Sequence, residues 1–208
     1  MRSQKEIKVL VHASGRHVHL SREDMTVLFG TETEIKPKKI LGADGKGDYL
    51  TDLKVEIMGA DGKSSVCSVL GPLREETQIE VSYTEGRAIG ALPPLGDSGK
   101  LEGTMAVRLK GPAGSVSLAR GMFVARRHVH LTPDDADAIG VKNGDMCDLR
   151  VGGDRPTTFH AVIAKVPPRE IGMEISDVHL DYDEWNAAAL FRFDCGWLSK
   201  GEEGEAEA

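Results

Sequence analysis

The sequence predicts a mainly β fold of two β-barrel domains with short helices, related by internal duplication. The pentapeptide Arg-His-Val-His-Leu at residues 16–20 recurs unchanged at residues 127–131, 111 residues later. Most segments between and after the copies alternate apolar and polar residues with the period of two that is typical of strands. The chain has 24 glycines but only 5 Phe, 3 Tyr and 2 Trp, which favours short elements joined by tight turns.

Both copies of the pentapeptide follow an apolar segment and precede a helix start. Residues 7–11 lead into the first copy and residues 122–125 into the second, and both segments have the composition of strands. Ser21 and Thr132 are predicted helix N-caps, and Pro133 suits the first position of the second helix. The shared order of strand and helix indicates two related halves.

The remaining segments are predicted mainly as strands and turns. Alternation and turn residues predict strands at 54–58, 65–70, 78–83, 146–151 and 157–166, with turns or loops at 59–63, 91–103, 111–114 and 141–145. A further helix is expected at 181–193, where Asp181 and Glu184 are spaced as a capping box.

These elements divide the chain into three predicted parts. Residues 1–115 form the first barrel half and residues 116–200 the second, and the division allows the barrels to exchange strands across the boundary. Residues 201–208 form a low-complexity acidic tail that we expect to be disordered.

Charge and hydropathy exclude two classes of partner. A formal net charge of −7 argues against nucleic acid, because proteins that bind phosphate backbones are usually basic. No segment approaches the roughly 18 consecutive apolar residues of a membrane span, and no signal-peptide pattern opens the chain. We therefore expect a soluble intracellular protein that binds neither nucleic acid nor membrane.

The cysteines indicate neither a disulfide framework nor a cysteine-ligated zinc. Cys67, Cys147 and Cys195 are widely spaced and odd in number, and no C-x-x-C motif occurs. We expect all three to be small core residues in a reducing compartment.

The histidines carry the clearest chemical signal. On a strand, the H-x-H of each pentapeptide places two imidazoles on one face, an arrangement that suits zinc. His179 is the candidate third imidazole, whereas His12 and His160 have no partner at a useful spacing and are interpreted as ordinary polar residues. Cobalt, nickel and iron also accept imidazole and carboxylate ligands. The alternative is that both copies are inherited strand-turn-helix scaffolding without a metal.

Two basic features are candidates for anion binding. Arg74 follows Gly71-Pro72, a predicted tight turn at a strand end, and its planar guanidinium could bind an oxyanion through two hydrogen bonds. An exposed arginine on a connecting loop is the alternative. The lysines at 36, 38 and 39 form a small cluster that is either solvated or meets a polyanionic ligand.

Taken together, these motifs resemble the PduL-type phosphotransacylases, the phosphate propanoyltransferases of bacterial microcompartments and propanediol degradation. The resemblance rests on residues 14–20, 70–74, 78–80, 127–131, His179 and 183–187. It implies two β-barrel domains with a two-zinc active site between them. It assigns His17, His19 and Glu80 to one zinc, and His128, His130 and His179 to the other. It further implies that Arg74 binds phosphate and that the coenzyme A contacts are Ser14, Lys39, Leu70 and Asn186.

The activity implied is the reversible conversion of acyl-CoA and phosphate into acyl phosphate and coenzyme A. Propanoyl and acetyl chains both fit, and we expect phosphate to attack the thioester directly, with no protein nucleophile. The resemblance also implies a homo-oligomer. Packaged members carry an amphipathic N-terminal extension that residues 1–6 cannot form. We therefore expect either a cytoplasmic member or a microcompartment member whose extension has been removed, with shell or core enzymes as further partners.

Two other functions remain open at this stage. A zinc-dependent hydrolase is the nearest alternative, because zinc-bound water is itself a nucleophile. Barrel hydrolases typically need about 250 residues and alternating helices, which this chain lacks. A non-catalytic, zinc-stabilised docking module is the other alternative, and it requires closed four-ligand sites instead of sites with an open position.

Overall fold

The computed structural model describes residues 5–41, 47–191 and 194–201. The predicted acidic tail, apart from Gly201, lies outside these residues. The described residues form fourteen strands and four α-helices: β1 (Glu6–Ser14), β2 (His17–Ser21), α1 (Arg22–Phe29), β3 (Lys39–Ile40), β4 (Tyr49–Met58), β5 (Ser64–Arg74), β6 (Gln78–Glu80), α2 (Tyr83–Ala88), β7 (Leu95–Gly96), β8 (Met105–Lys110), β9 (Ser115–Ala125), β10 (His128–His130), α3 (Pro133–Ile139), β11 (Met146–Val151), β12 (Thr157–Lys165), β13 (Asp177–Asp181), α4 (Tyr182–Ala187) and β14 (Cys195–Lys200). The mainly β class is confirmed.

The chain forms two compact units that differ from the expected division at residue 115. Residues 15–125 make one unit, here called the inserted unit, and the described parts of residues 1–14 and 126–208 make the other, the terminal unit. The boundary lies after β9 because this strand pairs with β8 and β6. Strand β1 belongs to the terminal unit because it pairs with β13 and β14.

The inserted unit is a closed six-stranded barrel. Its strands follow the order β4–β5–β2–β6–β9–β8, and pairing between β8 and β4 closes the ring. Alternate residues of these strands fill one core, including the fully buried Val18, Leu20, Ile57, Val69 and Ile79. Burial of these side chains leaves the other face of β2 and β6, which carries the polar residues, outside that core.

The terminal unit is a second closed six-stranded barrel. Its strands follow the order β1–β13–β10–β12–β11–β14, and β14 pairs with β1 to close it. Its core includes the fully buried Val11, Val129, Leu131, Val178 and Leu180. The alternation along β10 and β13 places His128, His130 and His179 on the opposite face from Val129 and Val178.

The duplication extends well beyond the pentapeptide. Strand β2 lies between parallel β5 and antiparallel β6, and β10 lies between parallel β12 and antiparallel β13. In the inserted unit His17 is directly opposite Glu80, and in the terminal unit His128 is directly opposite His179. Glu80 and His179 therefore occupy equivalent positions, although their chemistry differs.

The helix starts repeat the same hydrogen bonds. In each unit the side chain of the N-cap residue accepts a hydrogen bond from the backbone N–H of an aspartate three residues later. The backbone N–H of the N-cap residue donates to the hydroxyl of a third residue, and this hydroxyl donates to the carboxylate of the same aspartate. The sets are Ser21, Asp24 and Thr77 in one unit, and Thr132, Asp135 and Ser176 in the other. The predicted N-caps are confirmed.

Two predicted elements end earlier than expected. The strand expected at 78–83 ends at Glu80, and α2 begins after Ser82, which forms a capping box with Glu85. The S-x-x-E spacing was the signal for this helix. The helix expected at 181–193 spans only Tyr182–Ala187. Asp181 caps it, but Glu184 pairs with Arg127 and does not complete a capping box.

Gly71-Pro72 is not a turn at a strand end, because β5 continues through it to Arg74. Three residues of β2, from His19 to Ser21, face five residues of β5, from Leu70 to Arg74. The two extra residues form a bulge, which bends the strand and changes the direction of the side chains that follow. A β-carbon at Gly71 would lie 2.2 Å from the ring of Tyr49, so glycine is required for this close approach.

Gly71→Ala is therefore expected to lower the free energy of unfolding by about 1–3 kcal/mol, because the added methyl group must displace the Tyr49 ring or the bulge. Urea denaturation monitored by circular dichroism measures this change. Gly152→Ala is the matched control, since a β-carbon at Gly152 meets no atom within 4 Å. Equal denaturation midpoints for the two variants would contradict the requirement for glycine at Gly71.

Candidate metal centres

The first candidate centre lies on β2 and β6 of the inserted unit. His17, His19 and Glu80 are all buried on the strand face opposite the core, and the two imidazole rings lie 5.3 Å apart. The Nε2 atom of His17 lies 3.7 Å from Oε2 of Glu80. The Nδ1 atom of His17 lies 2.8 Å from the carbonyl oxygen of Gly15, to which it donates. This leaves the Nε2 lone pair of His17 directed toward Glu80, as in metal-binding histidines.

Arg74 lies at the same centre, beside His19. Its Nη2 atom is 3.1 Å from Nε2 of His19 and 3.4 Å from Oδ2 of Asp48, which is also 3.4 Å from His19 Nε2. Asp48 was not predicted as a site residue, because no local motif marks it. Arg74 is partly exposed, at 30 % of its side-chain area. A partly exposed guanidinium next to buried imidazoles provides a place for an anion.

His19 carries an orphaned polar atom. The side chain is fully buried, and Nδ1 has no hydrogen-bond partner among the described residues. Leaving a buried polar group unpaired costs about 1–3 kcal/mol. Such an atom in a cluster of potential ligands fits a metal-binding role better than a packing role.

The second candidate centre lies on β10 and β13 of the terminal unit. The rings of His128, His130 and His179 lie 5.1 Å apart in every pair. Each offers a nitrogen within 4.8 Å of the others. His128 Nδ1 lies 2.9 Å from the carbonyl oxygen of Arg126, the counterpart of the His17 contact with Gly15. Three imidazoles can therefore reach one metal ion.

Burial keeps the first histidine of each centre neutral. Desolvation lowers the pKa of His17, although Glu80 opposes the effect. Desolvation, reinforced by His179 and Lys165, lowers the pKa of His128 to about 3. Metal ions bind neutral imidazole, so neither residue must lose a proton near neutral pH before binding.

His12 was interpreted as an ordinary polar residue, but it lies beside the second centre. On parallel strands β1 and β13 it is in register with His179, and its Nδ1 atom lies 3.1 Å from Oδ2 of Asp177. His179 Nε2 lies 3.2 Å from the same oxygen. Among the described residues, His12, Asp177 and His179 form a second set with atoms within 4.8 Å. Only the strand register brings them together.

His160 is exposed and pairs with Asp148.

The arginines that precede the histidines are held in ion pairs. Arg16 Nη1 lies 2.8 Å from Glu85, and Arg127 Nε lies 2.8 Å from Glu184. Each arginine also donates to a backbone carbonyl of the parallel neighbouring strand. Both glutamates lie at the third position of a helix, so these pairs belong to the duplicated framework.

A model of the phosphate propanoyltransferase family matches residues 10–191. The chain belongs to this family. It is therefore an enzyme of the transferase class. Phosphate propanoyltransferases of three bacteria are similar to it: 40 % identical over 205 residues in Clostridioides difficile (96 % of this chain, 89 % of that protein), 42 % over 188 residues in Thermotoga maritima (90 % and 87 %) and 40 % over 183 residues in Rhodopseudomonas palustris (88 % and 78 %).

The four residues that the resemblance assigns to coenzyme A occupy two places in this transferase. Lys39 and Leu70 are both paired with Leu50 in the inserted unit, so they lie two strand spacings apart, about 10 Å. Ser14 ends β1 in the terminal unit, and Asn186 is exposed on α4.

No helix in the described part of the chain is long and apolar enough to cross a membrane.

Two of the three cysteines are buried as expected, and Cys195 is partly exposed. Burial raises the pKa of the Cys67 and Cys147 thiols to about 12. The nucleophile in cysteine chemistry is the thiolate, which these two residues do not form near neutral pH. Neither is therefore suited to carry an acyl group.

Proposed function

We propose that this phosphate propanoyltransferase family member interconverts acyl-CoA plus phosphate and acyl phosphate plus coenzyme A, with propanoyl-CoA or acetyl-CoA as the acyl donor. The observation that carries the proposal is the contact between Arg74 and His19, which places an anion-binding guanidinium next to metal-binding side chains. Acyl transfer to phosphate needs a bound phosphate next to an activated thioester, and these two groups can supply both.

Each centre is proposed to hold one divalent metal ion, with zinc as the expected metal. His17, His19 and Glu80 supply the ligands in the inserted unit, and the ligands in the terminal unit are His128, His130 and His179. The neutral imidazoles and the orphaned nitrogen of His19 support this assignment. A metal bound in this way supplies Lewis acidity that polarises a carbonyl or stabilises a thiolate. Three protein ligands at each centre leave a coordination position open, which argues against a purely structural module.

Arg74 is proposed to bind and orient the phosphate. Its guanidinium can hold two phosphate oxygens in a planar geometry, which offsets their charge and lowers the entropic cost of bringing phosphate to the thioester. In the structure Asp48 occupies part of this space at 3.4 Å. Phosphate binding is therefore expected to replace the Asp48 contact.

The reaction is proposed to proceed by direct attack. A phosphate oxygen forms a bond to the thioester carbonyl carbon, the carbon–sulfur bond breaks, and coenzyme A leaves as the thiolate. Acyl phosphate keeps the acyl group, so atoms and charge balance without an acylated protein side chain. The raised thiol pKa values of Cys67 and Cys147 support this route. Ser14, Lys39, Leu70 and Asn186 are proposed contacts of coenzyme A. The homo-oligomer and the association with a microcompartment stay predictions from the family.

The test is a coupled assay of acyl phosphate with coenzyme A, run with the purified protein before and after treatment with a chelator. We expect acyl-CoA formation that the chelator abolishes and that added zinc restores. Hydrolysis of acyl phosphate without acyl-CoA formation would instead indicate a hydrolase. Exchange of labelled phosphate into acyl phosphate without coenzyme A would indicate an acyl-enzyme and contradict direct attack.

A further inference from the structure

In each unit, one residue makes a hydrogen-bond contact with the third candidate ligand. This residue lies on the same strand as the ligand and on the same face of that strand. Gln78 lies two residues before Glu80 on β6, and Asp177 lies two residues before His179 on β13. Because side chains alternate along a strand, residues two apart point to the same side. Both strands run antiparallel to the strand that bears the H-x-H motif, and there Gln78 faces His19 while Asp177 faces His130.

The chemistry of each pair is complementary. Gln78 donates from Nε2 to Oε1 of Glu80 at 2.6 Å, so an amide donor meets a carboxylate. Asp177 Oδ2 lies 3.2 Å from Nε2 of His179, so a carboxylate acceptor meets an imidazole donor. The ligand is a carboxylate in the inserted unit and an imidazole in the terminal unit. The residue two positions earlier is a hydrogen-bond donor in the inserted unit and an acceptor in the terminal unit.

Gln78 and Asp177 are both buried, and each makes further polar contacts. Gln78 is 2 % exposed, also donates to Ser98 and accepts the backbone N–H of Gly99. Asp177 is 7 % exposed, and its Oδ2 atom also lies 3.1 Å from Nδ1 of His12. A ligand held by a fixed partner loses little freedom when it binds a metal ion, which raises the affinity.

We propose that Gln78 and Asp177 are positioning residues, one for each metal centre. Gln78 orients the carboxylate of Glu80. Asp177 accepts the Nε2 proton of His179, which leaves the lone pair of that imidazole on Nδ1. His12 contacts the same Asp177 oxygen at 3.1 Å and helps to hold that carboxylate in place. This inference rests on the proposed metal centres and adds the residues that set their affinity.

The first test observes the histidine tautomers directly. Long-range ¹H–¹⁵N spectra of the zinc-loaded wild-type protein distinguish a protonated Nδ1 from a protonated Nε2. We expect the proton of His179 on Nε2 and the proton of His128 on Nδ1, where it is donated to Arg126. A His179 proton on Nδ1 would overturn the assignment to Asp177. This measurement does not depend on the folding of any variant.

The second test measures Co²⁺ affinity and the visible absorption spectrum in two single-centre backgrounds. His17→Ala leaves the terminal-unit centre, in which Asp177→Asn is compared with the parent. His128→Ala leaves the other centre, in which Gln78→Met is compared. We expect each change to weaken Co²⁺ binding by about 10- to 100-fold and to alter the absorption spectrum, with the stoichiometry unchanged. Asp148→Asn is the control, because Asp148 pairs with the exposed His160.

The outcomes separate three cases. Unchanged affinity and spectrum in both variants would overturn the positioning roles and leave the proposed function intact. Loss of the bound metal in both Asp177→Asn and His12→Ala would show that these two residues are ligands, which also overturns the proposal. A wild-type protein that binds no Co²⁺ or Zn²⁺ would contradict the metal centres of the proposed function itself.

Discussion

His128→Ala is expected to remove one of two bound metal ions per chain and to lower the rate of acyl transfer by about 1,000-fold, or roughly 4 kcal/mol. The His128 imidazole lies 5.1 Å, centroid to centroid, from the rings of both His130 and His179. Because its pKa is lowered to about 3, it meets a metal ion as a neutral ligand. Elemental analysis and the coupled assay measure the two quantities in the same preparation.

His160→Ala is the matched control for this variant. His160 belongs to the same unit, is exposed and pairs with Asp148. It should leave metal content and activity at the wild-type values. Full metal content in His128→Ala would exclude this residue as a ligand. Loss of activity with both metals retained would place its role in substrate binding instead.

Arg74→Ala is expected to raise the KM for phosphate by about 100-fold, or roughly 3 kcal/mol, while both metal ions remain bound. The guanidinium is the cation that lies 3.1 Å from His19, and alanine leaves no group to offset the phosphate charge. Arg74→Lys restores the charge without the planar pair of donors, so a partial recovery is expected. Steady-state kinetics with phosphate as the varied substrate provide the measurement.

Arg120→Ala is the control for a general change in charge, because Arg120 forms an exposed pair with Glu76. It should leave the phosphate KM unchanged. Metal loss in Arg74→Ala would show that the arginine stabilises the centre and does not bind phosphate. An unchanged KM in Arg74→Ala would leave the site without its proposed phosphate-binding group.

The distribution of ion pairs explains why Arg74 is singled out among the arginines near the histidines. Arg16 and Arg127 directly precede the H-x-H motifs, but each is neutralised by a glutamate at 2.8 Å and bonded to a neighbouring strand. Among the described residues, Arg74 instead forms its ion pair with Asp48 at the longer distance of 3.4 Å, and it also contacts His19 at 3.1 Å. A net charge of −7 therefore excludes little about small anionic substrates, since the local arrangement of charges decides where they bind.

Local patterns predicted much of the fold. The repeated pentapeptide indicated the duplication, and capping chemistry predicted the N-caps Ser21 and Thr132. Short-range periodicity and turn residues predicted the hairpin before β5. The predicted extent of the last helix and the predicted turn at Gly71-Pro72 were wrong for one shared reason. Glu184 and Tyr49 make contacts with residues distant in sequence, and such contacts override the local preference of the segment.

The sequence by itself determined the family, the mainly β class, the duplication and the residue types able to bind metal. The tertiary structure alone decided that β1 and β9 each complete the barrel of the other repeat, and that His12, Asp48, Gln78 and Asp177 lie beside the candidate ligands. The physical reason is that strand pairing and register join residues far apart in the chain. A period of two shows which residues share a face, but only the pairing shows which faces meet.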